Sequence, residues 1–227
     1  MKREIKITGD GSKTLFISEM NESYHSTHGA LQEAVYVFIK NGINLVKKEE
    51  IHILEMGFGT GLNLLVTIDN YIKNQSQNTI RYFTIEKYPV LASEIEKLDY
   101  PHLFGFENVK EIYNKAHQAD WGEEIELFPN FYFTKFNTDF FDIPELSIPK
   151  IDLVYYDCFG ARVQPDLWEK PLFELVTERM GEGALLTTYS SKGSVRRALK
   201  ELGLEVEKKD GPPGKREMIN AWKRKGD

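Results

Sequence analysis

An α/β fold built on a largely parallel sheet is predicted for this 227-residue chain by three observations. From residue 51 onward, short apolar runs alternate with helical stretches at the spacing of βαβ units. The first of these runs, IHILEM, gives way at once to three glycines at alternate positions, the kind of turn that joins a strand to a ligand-binding helix. The composition, 41% hydrophobic and 28% charged, is that of an ordinary globular protein with a full core.

The elements follow in order. Residues 2 to 18 read as a β-rich lead, and the apolar spacing of LQEAVYVFI predicts a helix from about His28 to Leu45. IHILEM (51 to 56) is the first sheet strand, with a helix after Gly61 and a polar connection at 73 to 79. IRYFTIE (80 to 86), FYFTKF (131 to 136), IDLVYYD (151 to 157) and ALLTTYS (184 to 190) continue the sheet. Further helices are expected after Tyr88, Pro165 and Gly193, each near a Gly, Ser or Pro suited to a helix start. LEVEKK (204 to 209) and EMINAWK (217 to 223), joined by a long glycine and proline loop, predict an antiparallel hairpin. The expectation is a seven-stranded sheet with helices on both faces. Residues 1 to 48 are expected to form an extension that packs on and covers the site, and 49 to 227 one compact unit.

Composition narrows the function classes. A single cysteine, Cys158, rules out an intramolecular disulfide and a cysteine-based zinc site, and no metal is expected. No apolar run approaches the roughly 20 residues of a membrane span, and the first residues lack a signal-peptide core, so a cytoplasmic protein is expected. The net charge of −6 argues against indiscriminate nucleic-acid binding. From Lys192 to the end, however, 11 Lys and Arg face 6 Asp and Glu, against 18 and 29 in the rest. A basic C-terminal section on an acidic body can meet a phosphate backbone on one face.

The glycines bring bare backbone and a helix N-terminus against a ligand. Their spacing, Gly57-Phe58-Gly59-Thr60-Gly61, with Glu55 before and Asn63 after, differs from the dinucleotide pattern. It resembles the first motif of class I S-adenosyl-L-methionine (SAM) methyltransferases, which have a Rossmann-like fold. Glu86 ends the next strand about 25 residues beyond Gly61, where such folds place an acid for ribose hydroxyls, and Lys87 follows it. Asp139 follows the third strand and Asp157 ends the fourth, so four strand-end features converge on the carboxyl edge of the sheet.

Three further stretches narrow the resemblance: YHSTHGALQEAVYVF (24 to 38), DCFGARVQPDLW (157 to 168) and SSKGSVRRALKELGLEVEKKDGPPGKREM (190 to 218). Together they resemble the methyltransferase half of the bifunctional tRNA 5-methylaminomethyl-2-thiouridine biosynthesis enzyme, over residues 24 to 223. Because the chain stops at Asp227, the resemblance implies a stand-alone form without the flavin oxidoreductase part. The sequence departs from the family pattern at Ala161, where a proline is usual, and at Gln32 and Val35, where an acid and an arginine are common.

The resemblance implies SAM-dependent methylation of the primary amine of 5-aminomethyl-2-thiouridine at the tRNA wobble position. Asp157 is the candidate to orient the amine or take its proton, with contact to the methionine end of SAM as the alternative. Tyr24, Ser26 and Glu33 are candidates to cover the substrate, and Phe159 or Trp168 to stack on a splayed base. Lys192, Arg196, Arg197, Lys215 and Arg216 are the candidate phosphate contacts. Two rival readings remain open: an aminopropyltransferase-like enzyme using decarboxylated SAM, and an RNA-binding module that keeps the fold without catalysis.

Overall fold

In the structure, a computed structural model that describes residues 2–224, the run predicted as the first strand lies inside an eight-stranded sheet. Strands β1 (Arg3–Ile7), β2 (Lys13–Ile17) and β3 (Glu22–Ser23) first form a small antiparallel sheet of their own. Then come α1 (Ala30–Ala34), β4 (Glu50–Met56), α2 (Leu62–Lys73), β5 (Thr79–Ile85), α3 (Ala92–Leu98) and α4 (Val109–Gln118). The chain continues through β6 (Ile125–Phe128), β7 (Phe131–Phe136), β8 (Ile151–Tyr156), α5 (Lys170–Arg179), β9 (Met180–Thr188), α6 (Gly193–Glu201), β10 (Leu204–Asp210) and β11 (Glu217–Lys223). The large sheet has the order β10-β11-β9-β8-β4-β5-β7-β6, in which the five strands from β9 to β7 are parallel. The antiparallel C-terminal hairpin forms as expected, Leu204 pairing with Lys223 and Asp210 with Glu217.

Three details differ from the reading of the sequence. The eighth strand is β6, whose four residues pair antiparallel with β7 across a turn that holds Asn130 at φ 65°. Its run, IELF, is too short and too close to FYFTKF to stand out by period alone. The helix expected after Tyr88 is two helices, α3 and α4. The helix expected from His28 to Leu45 is α-helical only over Ala30–Ala34, widens into a π turn over Val35–Lys40 and ends in a 3₁₀ turn over Ile43–Leu45. Thr187 donates to the Val37 carbonyl at 3.1 Å, which ties the widened turn to β9.

Alternation along β4 divides the core. Ile53 packs with α1, α2 and α4 on one face, whereas Leu54 and Met56 pack with α5 and α6 on the other. Successive strands leave β4 in opposite directions, to β5 and β7 on one side and to β8 and β9 on the other. The carboxyl ends of β4 and β8 therefore flank the topological switch point, where open α/β sheets bind ligands. No helix among the described residues is long and apolar enough to cross a membrane.

Candidate active site

The glycine turn leaves β4 at this switch point. Gly57 N and Phe58 N both donate to the Ile85 carbonyl, so the turn is hung from the end of β5. Gly59 has φ 49°, and its N–H donates to Glu86 Oε2 at 2.9 Å. Gly61 has φ 74° directly before α2, and a Cβ there would stand 2.9 Å from His117 Nε2. A side chain at Gly61 is thus excluded by conformation and by space. Tyr113 of α4 donates to the Thr60 carbonyl at 2.7 Å, bracing the turn from behind. Asn63, in the first turn of α2, donates through Nδ2 to Asp157 Oδ2 at 2.8 Å.

Around this turn lies a cleft of about 1090 Å³ including its mouth. Of the residues singled out in the sequence, Tyr24, Gly57, Gly59, Thr60, Asn63, Glu86, Lys87, Asp139, Asp157 and Phe159 line it. Tyr24 comes from the N-terminal section, its ring 3.3 Å from where a Cβ on Gly59 would be, and meets Phe159 edge-on at 4.9 Å. Glu86 also accepts from Tyr88 N at 2.7 Å, and Asp139 pairs with Lys87 at 2.6 Å. Burial would raise the Asp139 carboxyl, but hydrogen bonds from Lys87 and Phe141 N hold it below its ordinary value. Glu86 and Asp139 against Lys87, with Asp157 adding a third acid to the wall, make the cleft electronegative, which fits a ligand carrying positive charge.

A second cleft shares Tyr24, His25, Cys158 and Phe159 with the first and is further lined by Glu22, Ser26, Glu33, Tyr189 and Lys215. Lys215, expected as a phosphate contact, instead donates to Glu33 Oε2 and sits 3.9 Å from the centroid of the Tyr189 ring. The attraction of a buried carboxylate, Glu33 being only 8% exposed, outweighs solvation of the lysine at this position. Two cofactor candidates also stand apart from the cleft lining. Gly61 shapes the start of α2, and Glu55 is fully buried beneath the turn. Lys192, Arg196, Arg197 and Arg216 line neither cleft; Arg196 is partly exposed and the other three are exposed. Trp168 is buried and donates to the Phe159 carbonyl at 2.6 Å, so it supports the loop rather than offering a stacking face.

Asp157 lines the first cleft, and the next residue, Cys158, lines both. Burial raises the Asp157 pKa to about 7, with Glu33 pushing the same way and Asn63 and Lys215 pulling it down. A group with that pKa exchanges a proton near neutral pH. Replacing Lys215 by methionine removes a cation that lowers it. The Asp157 midpoint in a carbon-13 NMR titration is therefore expected to move up by about half a unit or more.

Several lining residues had no mark in the sequence: Met20, His25, Phe58, Leu62, Tyr88, Phe140, Gln164 and Leu167. Phe58 and Tyr88 were within reach, being next to glycines and acids already singled out. His25 was not. It bridges Thr14 of β2 and Thr60 of the turn at 3.2 and 3.4 Å, and burial lowers its pKa to about 4, so it stands neutral in the wall.

Comparison with known proteins bears on this arrangement. A family model described as S-adenosyl-L-methionine-dependent methyltransferase matches residues 109–224, from α4 to the end of the last strand. The tRNA 5-methylaminomethyl-2-thiouridine biosynthesis bifunctional protein MnmC of Leptospira interrogans (strain Fiocruz L1-130) is 30% identical over 227 residues, covering 94% of this chain and 34% of its own. Its counterpart in Hydrogenovibrio crunogenus is 29% identical over 212 residues, 87% of this chain and 31% of its own. The chain thus spans about a third of the length of these curated relatives. The crystal structure of MnmC2 from Aquifex aeolicus superposes with a TM-score of 0.78 at 27% identity, over 100% of this chain and 73% of that one.

Proposed function

Since the chain belongs to the S-adenosyl-L-methionine-dependent methyltransferases, we propose that it methylates the primary amine of 5-aminomethyl-2-thiouridine at the wobble position of tRNA. The observation that carries this reading is the position of Asp157, held by Asn63 in the wall of the first cleft, within the electrostatic reach of Glu33 and Lys215 from the adjoining second cleft. The names of the MnmC relatives, and the resemblance of the stretches 24 to 38, 157 to 168 and 190 to 218, support the choice of acceptor.

Bound in the first cleft, SAM supplies an electrophilic methyl group on a sulfonium. The chain's own residues position and deprotonate. The glycine turn leaves room for the ligand against bare backbone, with Glu86 and Asp139 as its polar partners at the strand ends. Asp157 takes a proton from the substrate ammonium, or orients the neutral amine, since only an amine with a free lone pair is a nucleophile. Phe159 and Tyr189 give the second cleft apolar surface for a base. Residues 1 to 48 serve as the cover, delivering Met20, Tyr24 and His25 to the wall.

The exposed Arg197 and Arg216, with Lys192 and Arg196, are the proposed phosphate contacts; Lys215 is withdrawn from that set by its pair with Glu33. The double variant Arg196→Ala, Arg197→Ala is expected to weaken tRNA binding and to flatten its log-log salt dependence by about one to two. An unchanged slope in filter binding across a salt series would remove the patch. The function itself is tested by incubating the protein with labelled SAM and tRNA from cells lacking this modification, then analysing nucleosides. Label in 5-methylaminomethyl-2-thiouridine is expected, and label elsewhere or none would refute the assignment.

A further inference from the structure

Glu55 sits in the motif that accommodates the cofactor, yet its side chain faces away from the cleft. It is still inside the ladder, paired with Thr84 on β5 and with Tyr155 on β8, and is 0% exposed. Thr84 donates to its Oε2 at 2.8 Å, while Oε1 is buried without a partner. Of the five other buried side-chain polar atoms without a partner among the described residues, two, Asn63 Oδ1 and Tyr82 Oη, belong to side chains that interact with the Glu55 carboxyl. Buried polar atoms left unmatched are costly, so three in one cluster call for a shared explanation.

Ionised and neutral forms of Glu55 satisfy this cluster differently. A carboxylate only accepts, so it can take the Tyr82 hydroxyl but leaves Asn63 Oδ1 facing another acceptor. Turning the Asn63 amide over would break its 2.8 Å bond to Asp157. One proton on Oε1 removes the conflict: Tyr82 donates to Oε1, Oε1–H donates to Asn63 Oδ1, and Asn63 Nδ2 goes on donating to Asp157.

We propose that Glu55 is a neutral carboxylic acid that fixes Asn63, and through it the carboxylate of Asp157, making it a positioning residue for methyl transfer and not a cofactor ligand. The proposal rests on the role given to Asp157 above. Burial pushes the Glu55 carboxyl well above the usual carboxylate range, in keeping with this, and the nearby Asp157 charge acts in the same direction. The groups facing the pair are Tyr82 and Thr84 from β5, Tyr155 from β8, Cys158 beyond β8, Tyr189 beyond β9, Glu33 from the N-terminal helix and Lys215 from the hairpin loop.

The test uses Glu55→Gln and Glu55→Leu in the full chain. Glutamine can accept from Thr84 and donate to Asn63 Oδ1, so it is expected to keep kcat within about threefold and to leave the pH midpoint of kcat in place. Leucine leaves Asn63 free to turn and is expected to lower kcat by about tenfold or more, with the Kd for SAM little changed. A Glu55→Gln variant whose Kd for SAM rises about tenfold would instead mark Glu55 as an ionised ligand and overturn the proposal. An infrared arm needs no turnover. A protonated-carboxyl band persisting at pH 8.5 in wild type and in Asp157→Asn, and absent from Glu55→Gln, is expected, and its absence from wild type sinks the idea. Should Asp157 prove dispensable for methyl transfer, this band still reports the Glu55 proton separately.

Discussion

Asp157→Asn will lower kcat for methyl transfer by about a hundredfold or more, the range of a positioned acid–base group, and will make the protein more stable at pH 8. Both effects have one cause. Burial raises the Asp157 pKa to about 7 from 3.8, so the folded state holds a proton there that the unfolded chain has already released. Stability relative to the asparagine variant is therefore full below about pH 4, falls as pH rises towards 7, and stays low above it. Three units correspond to about 4 kcal/mol, and Asp157 keeps some contact with solvent, so a gain of about 2 kcal/mol at pH 8 is the expected size. Urea unfolding of both proteins at pH 4 and pH 8 measures it: the two curves should nearly coincide at the lower pH and separate at the higher. In the same wild-type enzyme, kcat/KM should fall about tenfold per unit below pH 7, a dependence asparagine cannot share. Equal turnover of the two proteins would remove Asp157 from the chemistry, and equal stability at pH 8 would show that its carboxyl is not raised.

The sheet and the edge that carries the cleft were legible because the residues that form them are local in sequence. Gly57, Gly59, Glu86, Asp139 and Asp157 each lie at or just beyond the end of a strand, where a side chain must face the crevice. Glu55 shows the limit of that reasoning. Glu86 and Asp157 follow the last residue of their strands, whereas Glu55 precedes Met56 and remains in the ladder, on the face that α2 covers. One residue of register turns a cleft acid into a buried one. The contacts that were illegible are the long-range ones. Glu33 and Lys215 are 182 positions apart, and His25 reaches Thr60 across 35, so neither pairing leaves a trace in any local pattern. The same holds for β6, whose four residues acquire meaning only when β7 is there to pair with them.

Gly59→Val will abolish measurable SAM binding, raising Kd about a hundredfold or more, and will cost the fold about 2 kcal/mol. Gly59 lies at φ 49°, where a β-branched residue is strained by about 1–3 kcal/mol, and its N–H must stay aligned with Glu86 Oε2 to keep their 2.9 Å bond. The new side chain has nowhere to go except the cleft or Tyr24, whose ring lies 3.3 Å from the Cβ position. Either outcome injures the site: filling the cleft excludes the ligand, and displacing Tyr24 breaks its 4.9 Å edge contact with Phe159 and opens the wall to water. Gly59→Asn separates backbone from volume, because asparagine tolerates positive φ better than any β-branched residue. It should recover most of the lost stability in urea unfolding while calorimetry with SAM still shows weakened binding. If asparagine restored binding as well, conformation alone would be the constraint at this position and the space beside Tyr24 would not belong to the ligand.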